Sequence, residues 1–201
     1  MKTITFRDMT WPSDEFMKVD CDSSSFDNIE IINCCCQDIK KIGQPIYKNT
    51  FIHGSSLGYL SFNRPNEELS FMADLMKAVI AGSTLYRVEA GVDVFLEIGS
   101  DTSATKSYID EIEICGRACL YNVLTKEITV ERQGIARIHP GVKADKIVVY
   151  GTAIIGSENI GKIKLIPGGK IRFLSKNETY YNIECYKGRT PYKSVDGYIC
   201  G

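Results

Sequence analysis

The residue types best suited to catalysis in this 201-residue chain lie around Ser56. Residues 53–58, HGSSLG, contain a G-x-S-x-G match, in which a serine hydrolase exposes its nucleophile on a sharp strand-to-helix turn. His139 follows in the chain and is the candidate general base. However, the residues after Gly58 alternate as a strand does, whereas a nucleophile elbow leads into a helix. A glycine-rich turn explains the motif better, and a small serine hydrolase stays as one alternative.

Cysteine is the second residue type that could form a site. Cys34 and Cys36 form C-x-C, and Cys115 and Cys119 form C-x₃-C, so these thiolates could surround a zinc ion. Strong zinc signatures have paired C-x₂-C knuckles, which these spacings do not match. Cysteine is also among the most buried residue types, and these cysteines stand beside strand-like phrases. We therefore expect reduced thiols that fill the core, and no metal or other cofactor.

A third candidate site is a cluster of aromatic and cationic side chains near the C-terminus. Tyrosine rings can stack on bases or sugars, and cations beside them can pair with phosphates. The other interpretation is a terminal cap, in which the tyrosines pack on the last strands. A glycan- or nucleic-acid-binding module is thus a further alternative, with binding residues Tyr180, Tyr181, Tyr186, Lys187, Arg189, Tyr192 and Lys193. No Walker loop or H-E-x-x-H motif is present, so the balance of motifs is against an enzyme.

Most of the chain has the alternating pattern of short strands. Through residues 110–173, a phrase of two large apolar residues separated by one residue recurs, and this predicts strands with one buried face. The phrases begin at Ile112, Ile128, Ile147, Ile163 and Ile171, at intervals of 16, 19, 16 and 8 residues. The near-equal intervals favour a parallel β-solenoid, whereas the last one, across PGG at 167–169, would suit a hairpin of an antiparallel β-sandwich. We predict the solenoid and keep the sandwich as the alternative.

Residues 66–81 have a different period. Leu69, Met72 and Met76 recur at helical spacing, Asn66 can cap the N-terminus, and Gly82 stands where a C′ glycine belongs. We therefore predict a mainly β fold with one α-helical insertion near 66–81. The expected organisation is a single β-rich domain, with N-terminal strands in 1–62, the helix in 66–82, and the main β region with a basic, tyrosine-rich C-terminal cap in 84–201.

The net charge is −1, which argues against a generalised polyanion binder. The charge is nevertheless polarised: residues 1–38 carry three basic and eight acidic side chains, and residues 161–201 carry eight basic and three acidic ones. No basic leader with an apolar run follows the first methionine, and no apolar stretch reaches the length of about 18 residues that a membrane helix needs. We expect a cytoplasmic protein, or a virion protein if it is phage-encoded, with no membrane partner.

The run at 134–173, GIARIHPGVKADKIVVYGTAIIGSENIGKIKLIPGGKIRF, resembles the coils of bactofilin-type polymer-forming β-helices. Phrases such as K-I-V-V, G-K-I-K-L and P-G-G-K-I are similar to those that recur in that family. The resemblance implies a coil geometry and a non-enzymatic, self-assembling protein. The opposite charges of the two ends would favour head-to-tail association. The predicted function is therefore that of a structural or assembly protein, as a homo-oligomer, a cytoskeletal-like polymer or a component of a larger particle such as a phage structure.

Overall fold

The structure is a computed structural model that describes residues 3–11, 28–36, 42–43, 49–62, 76–100, 105–174, 183–185, 192–193 and 198–200. In these residues the chain winds as a parallel β-solenoid, so the predicted solenoid is confirmed. The antiparallel sandwich is excluded, because successive coils stack as parallel strands.

From β6 (Asn49–His53) to β19 (Ile183–Cys185) the strands alternate between two sheets, and each coil contributes one strand to each sheet. Sheet A has eleven strands, in the spatial order β1 (Thr3–Arg7), β3 (Asn28–Ile32), β6 (Asn49–His53), β8 (Met76–Ala81), β10 (Val94–Ile98), β12 (Arg117–Leu120), β14 (Ile135–Ile138), β16 (Thr152–Ile155), β18 (Lys170–Phe173), β21 (Ile199–Cys200) and β20 (Tyr192–Lys193). Sheet B has ten strands, in the order β19 (Ile183–Cys185), β17 (Asn159–Leu165), β15 (Lys143–Val149), β13 (Val123–Val130), β11 (Ser107–Ile114), β9 (Thr84–Ala90), β7 (Ser56–Phe62), β4 (Cys35–Cys36) and β2 (Thr10–Trp11), with β5 (Ile42–Gly43) beside β7.

The recurring isoleucine phrases form the coil-to-coil register of sheet B. Ile112, Ile128, Ile147 and Ile163 are partners on successive strands, and all are almost completely buried. Branched side chains stacked in this way fill the space between the sheets, and each fully buried one stabilises the fold by about 1.5–3 kcal/mol relative to an exposed one. The core is therefore a set of columns that run along the solenoid axis.

The interval of eight residues is a corner of the solenoid. Ile171 belongs to β18 in sheet A, while Ile163 belongs to β17 in sheet B, and the two strands do not pair. Residues 166–169 turn the chain between them, with the Gly169 N–H donating to the Ile166 carbonyl at 2.8 Å. The hairpin interpretation of this segment is therefore wrong.

The predicted helix is wrong over Met76–Ala81, which forms β8. The rest of the predicted helix, 66–75, lies outside the described residues. Ala78 and Ile80 are both buried and stand in parallel register with β6 on one side and β10 on the other. These ladder bonds and stacked contacts override the helical spacing of the apolar residues, because strand formation depends on the neighbours available. Gly82, with φ of 55°, turns the chain from sheet A to sheet B.

Glycines line the corner that leads from sheet B back to sheet A. A Cβ atom on Gly134 would lie 2.2 Å from the Ile114 carbonyl oxygen, and one on Gly169 would lie 2.3 Å from the Val149 carbonyl oxygen. These distances are shorter than any normal contact, so the corner packs directly on the backbone of the preceding coil. Only glycine fits where two backbones approach so closely.

We expect Gly134→Ala to lower the free energy of unfolding by about 1–3 kcal/mol, because the added methyl group would force adjacent coils apart. Urea unfolding, monitored by circular dichroism, measures this change in the free energy of unfolding. Gly156→Ala is the matched control, since a Cβ atom there would meet its nearest neighbour at 3.4 Å, an ordinary contact. Equal stability of the two variants would contradict the close approach at Gly134.

Candidate functional site

The G-x-S-x-G segment forms the corner between β6 and β7. Gly54 adopts a left-handed conformation with φ of 59°, Ser55 is buried, and the exposed Ser56 begins β7. The Ser55 hydroxyl donates to the His53 carbonyl at 3.0 Å and accepts from the Cys34 N–H at 3.0 Å. The glycine and the first serine thus have structural roles in the turn, as the sequence led us to expect.

Ser55 belongs to a column of small polar side chains at this corner. The Cys34 thiol and the Ser83 hydroxyl each donate to the carbonyl two residues earlier, at 3.3 and 2.9 Å, as Ser55 does. The N–H groups of Ser55 and Ser83 donate to the hydroxyls of Ser83 and Ser107, at 3.2 and 3.4 Å. Buried backbone groups need such partners, and the column supplies them at successive corners. A serine one or two residues before a strand, repeated from coil to coil, is the sequence signal for this column.

Ser56 and His139 are not brought together. His139 follows β14, and its ring stacks on Tyr121 with 3.9 Å between the ring centroids. Ser56 lies on β7, and His139 lies just before β15. In sheet B, β9, β11 and β13 stand between these two strands, so the coils are four strand-to-strand steps apart. Neighbouring strands lie about 4.8 Å apart, so the two coils are about 19 Å apart along the axis. This pair therefore cannot form a hydrogen-bonded catalytic dyad.

The four candidate zinc ligands are also distributed over different coils. Cys34 and Cys36 are buried, the first just before β4 and the second within it, whereas Cys115 follows β11 and Cys119 lies in β12. In sheet B, β7 and β9 separate β4 from β11. Among the residues that the structure describes, no group of three or more His, Cys, Asp or Glu side chains is placed to hold a metal ion.

The Cys115 thiol has a raised pKa of about 11. Burial is the main cause, and the negative charges of Glu113, Glu131 and Glu89 add to it. Both effects disfavour the thiolate, which is the form that attacks electrophiles and binds metals. Cys115 is therefore a protonated, unreactive thiol at neutral pH.

The aromatic and cationic C-terminal cluster is described only in part. Tyr192 and Lys193 form β20, which pairs antiparallel with β21, and β21 pairs antiparallel with β18. The other members, Tyr180, Tyr181, Tyr186, Lys187 and Arg189, lie outside the described residues. These strands extend sheet A past its last parallel strand, and the glycan- or nucleic-acid-binding role of the cluster stays a prediction.

Several cations on the outward side of sheet B form ion pairs with carboxylates on a neighbouring coil. Arg87 pairs with Glu113 and lies 3.5 Å from Glu111, while Lys146 lies 2.9 Å from Glu127. Lys162 lies 2.6 Å from Glu184 and is the main reason why the pKa of that carboxyl is lowered. The partners of each ion pair are far apart in the sequence but adjacent in the ladder, so no local sequence motif indicates them. Exposed ion pairs of this kind contribute little to stability, because water and salt screen them.

The outward side of sheet A is different over its last four parallel strands. We call the eight outward positions of β12, β14, β16 and β18 the cationic face; they are Arg117, Cys119, Ile135, Arg137, Thr152, Ile154, Lys170 and Arg172. The four cations are exposed, and no position of the face is acidic. No carboxylate of the described residues forms an ion pair with any of them. The sequence signal for this face is a cation that alternates with apolar residues, as in A-R-I and K-I-R. The sequence alone does not show which of these cations become neighbours, because that depends on the strand register.

We expect iodoacetamide to modify Cys35, which is exposed, far faster than Cys115 at pH 8. With a pKa of about 11, Cys115 has a thiolate fraction of about 10⁻³ at that pH. Peptide mapping by mass spectrometry over a pH series measures both rates in one sample. Modification of Cys115 should accelerate as the pH rises toward 11, and rapid modification at pH 8 would contradict the raised pKa.

In the part of the chain that the structure describes, no helical segment has the length and apolarity needed to cross a bilayer. The chain matches no protein-family model, no curated protein and no solved structure. The resemblance of residues 134–173 to bactofilin-type proteins is therefore untested and stays a prediction.

Proposed function

We propose that this chain is a self-associating structural protein whose copies join head to tail along the solenoid axis. The observation that carries the proposal is the free edge of β1. Within the described residues β1 pairs with β3 alone. An edge strand of this kind presents unpaired backbone groups, and these are a template for another chain.

The direction of those backbone groups follows from one hydrogen bond. The Asp8 N–H donates to the Ile32 carbonyl of β3 at 3.0 Å. Because backbone groups alternate along a strand, those of Ile4 and Phe6 also face β3, whereas those of Thr5 and its alternate neighbours face away. The N–H of Thr5 thus points away from β3, and no described strand lies on that side of β1.

The inward side chains of β1 are incompletely covered. Ile4 and Phe6 are half-buried, although their register partners Ile29 and Ile31 on β3 are completely buried. Phe6 has an edge contact with Trp11, with 5.7 Å between the ring centroids. Another coil placed on this end would bury the remaining apolar surface. Such burial stabilises an association by about 25 cal/mol for each Å² of apolar surface removed from water.

The opposite end offers an edge of matching direction. Because β21 is antiparallel to β18 and β20 is antiparallel to β21, β20 runs in the same direction as β1 and the other parallel strands of sheet A. A second copy could therefore place its β1 beside β20 as a parallel neighbour. The excess of acidic residues in 1–38 and of basic residues in 161–201 would attract the two ends to each other.

We expect light scattering from the wild-type protein to show particles that grow with concentration at low ionic strength and shrink as salt is added. Thr5→Pro should reduce this association, because proline removes an N–H that faces the free edge and leaves the β1–β3 bonds in place. Thr5→Ala is the matched control, since it also loses the hydroxyl that donates to Glu30 at 3.0 Å but keeps the N–H.

A wild-type protein that stays monomeric at low and high salt, even when concentrated, would refute the proposed assembly. Equal association of Thr5→Pro and Thr5→Ala would show that β1 is not the contact. Circular dichroism of both variants verifies that the solenoid is retained.

A further inference from the structure

We infer that the cationic face is a binding site for an acidic polysaccharide, meaning a linear glycan with regularly spaced carboxylate or sulfate groups. This site is distinct from the C-terminal tyrosine cluster, and it does not depend on head-to-tail assembly. The evidence is the uncompensated charge, the regular geometry and the side chains between the cations.

The four cations of the cationic face lack the ion pairs with described carboxylates that several cations of sheet B form. There Arg87, Lys146 and Lys162 each have a carboxylate partner on the next strand. On the cationic face the register partner on the following or preceding parallel strand is never an acid: Arg117 is next to Ile135, Arg137 and Arg172 are next to Ile154, and Lys170 is next to Thr152. A bound anion would relieve the mutual repulsion of these cations, so charge complementarity selects an anionic ligand.

The described strand beside the face, β10, contributes one outward carboxylate, and it is already paired. Glu97 on β10 is the neighbour of Cys119 in the same outward column, and its carboxylate lies 3.2 Å from the Lys77 ammonium. Among the described residues, the cations of the face therefore have no carboxylate partner.

The spacing of the cations suits a chain that runs along the solenoid axis. Arg137 and Arg172 share an outward column and are two strands apart, which is about 9.6 Å at the usual strand spacing. Arg117 and Lys170 share the other column and are three strands apart, about 14 Å. A flexible anionic group on each repeat of a linear polymer could reach successive cations. Three of the four cations are arginines, whose planar guanidinium binds carboxylate and sulfate oxygens in pairs.

The side chains between the cations favour a glycan over a nucleic acid. Ile135, which is 42% exposed, and Ile154 provide an apolar surface for the C–H groups of sugar rings. Single-stranded nucleic acids use aromatic side chains for base stacking, and none of the eight positions is aromatic. Tyr198 lies at the margin, where the Arg172 guanidinium is 6.0 Å from its ring centroid. The net charge of −1 also differs from the general basic excess of nucleic-acid-binding proteins.

The test is calorimetric titration of the full chain with heparin oligosaccharides and with oligogalacturonate at low salt. For whichever glycan the wild-type protein binds, the double variant Arg137→Gln with Lys170→Gln should have an affinity lower by about tenfold or more, because two charge-assisted contacts are lost. Lys143→Gln with Lys164→Gln is the matched control and should weaken it by less than about twofold. It removes the same charge from sheet B, where neither lysine forms an ion pair with a described carboxylate. Both double variants should retain the wild-type melting temperature.

Three results would overturn the inference. They are the absence of binding of either glycan by the wild-type protein at low salt, equal loss of affinity in both double variants, and tighter binding of single-stranded DNA of equal charge than of either glycan. Binding of heparin alone would assign the site to sulfated chains, and binding of oligogalacturonate alone would assign it to carboxylated ones. Thr5→Pro should bind the glycan as the wild type does, so failure of the assembly proposal and failure of this one are distinguishable.

Discussion

The direct stacking of one coil's backbone on the next is the constraint on which the rest of this structure depends. Parallel ladders hold successive strands at about 4.8 Å, and a corner can follow that spacing only if nothing separates the two backbones there. Gly134 and Gly169 satisfy the condition at one corner because they have no Cβ atom. At the other corner, Ser55 and Ser83 satisfy it by supplying hydroxyls to backbone groups that the turn leaves unpaired.

The same constraint fixes where outward side chains stand. Every outward residue is next to its register partners, so charges that are about 20 residues apart in the chain become neighbours in the ladder. Sheet B uses this to neutralise its charges, as Lys146 does with Glu127. The cationic face of sheet A does not, and its columns repeat at intervals of 18, 17 and 18 residues from Arg117 to Ile135, Thr152 and Lys170. Coils this short leave few residues for a loop that could cover the face.

The sequence was sufficient to predict the fold where one column consists of large branched residues. Ile112, Ile128 and Ile147 are such a column, and their spacing gives the coil length directly. Sheet A was harder to predict because alanines such as Ala118 and Ala136 occupy inward positions, while Ile135 is exposed. Hydrophobicity alone cannot distinguish these environments. The helix over 66–81 was predicted wrongly where β8 forms, since its spacing of apolar residues is local and the ladder that decides the conformation is not.

The candidate sites also differ in how far the sequence alone could reveal them. A motif within one segment, such as HGSSLG, could be recognised and weighed from the sequence, and the structure explains it as a corner. A site made from several coils could not be recognised, because Arg137 and Arg172 are neighbours in a column only after the register is known. Single cations on separate strands have no pattern of their own.

The two proposed properties would reinforce each other, although neither requires the other. If copies join head to tail, the solenoid axis continues, and the cationic face recurs once per copy along one filament. A linear acidic glycan that binds one face would then be held close to the next, so the second contact would form at a high effective concentration. Affinity for a long glycan would increase with filament length, while affinity for a short oligosaccharide would not. An assembled protein would therefore discriminate between polymer and fragment by geometry, without any additional contact in the site.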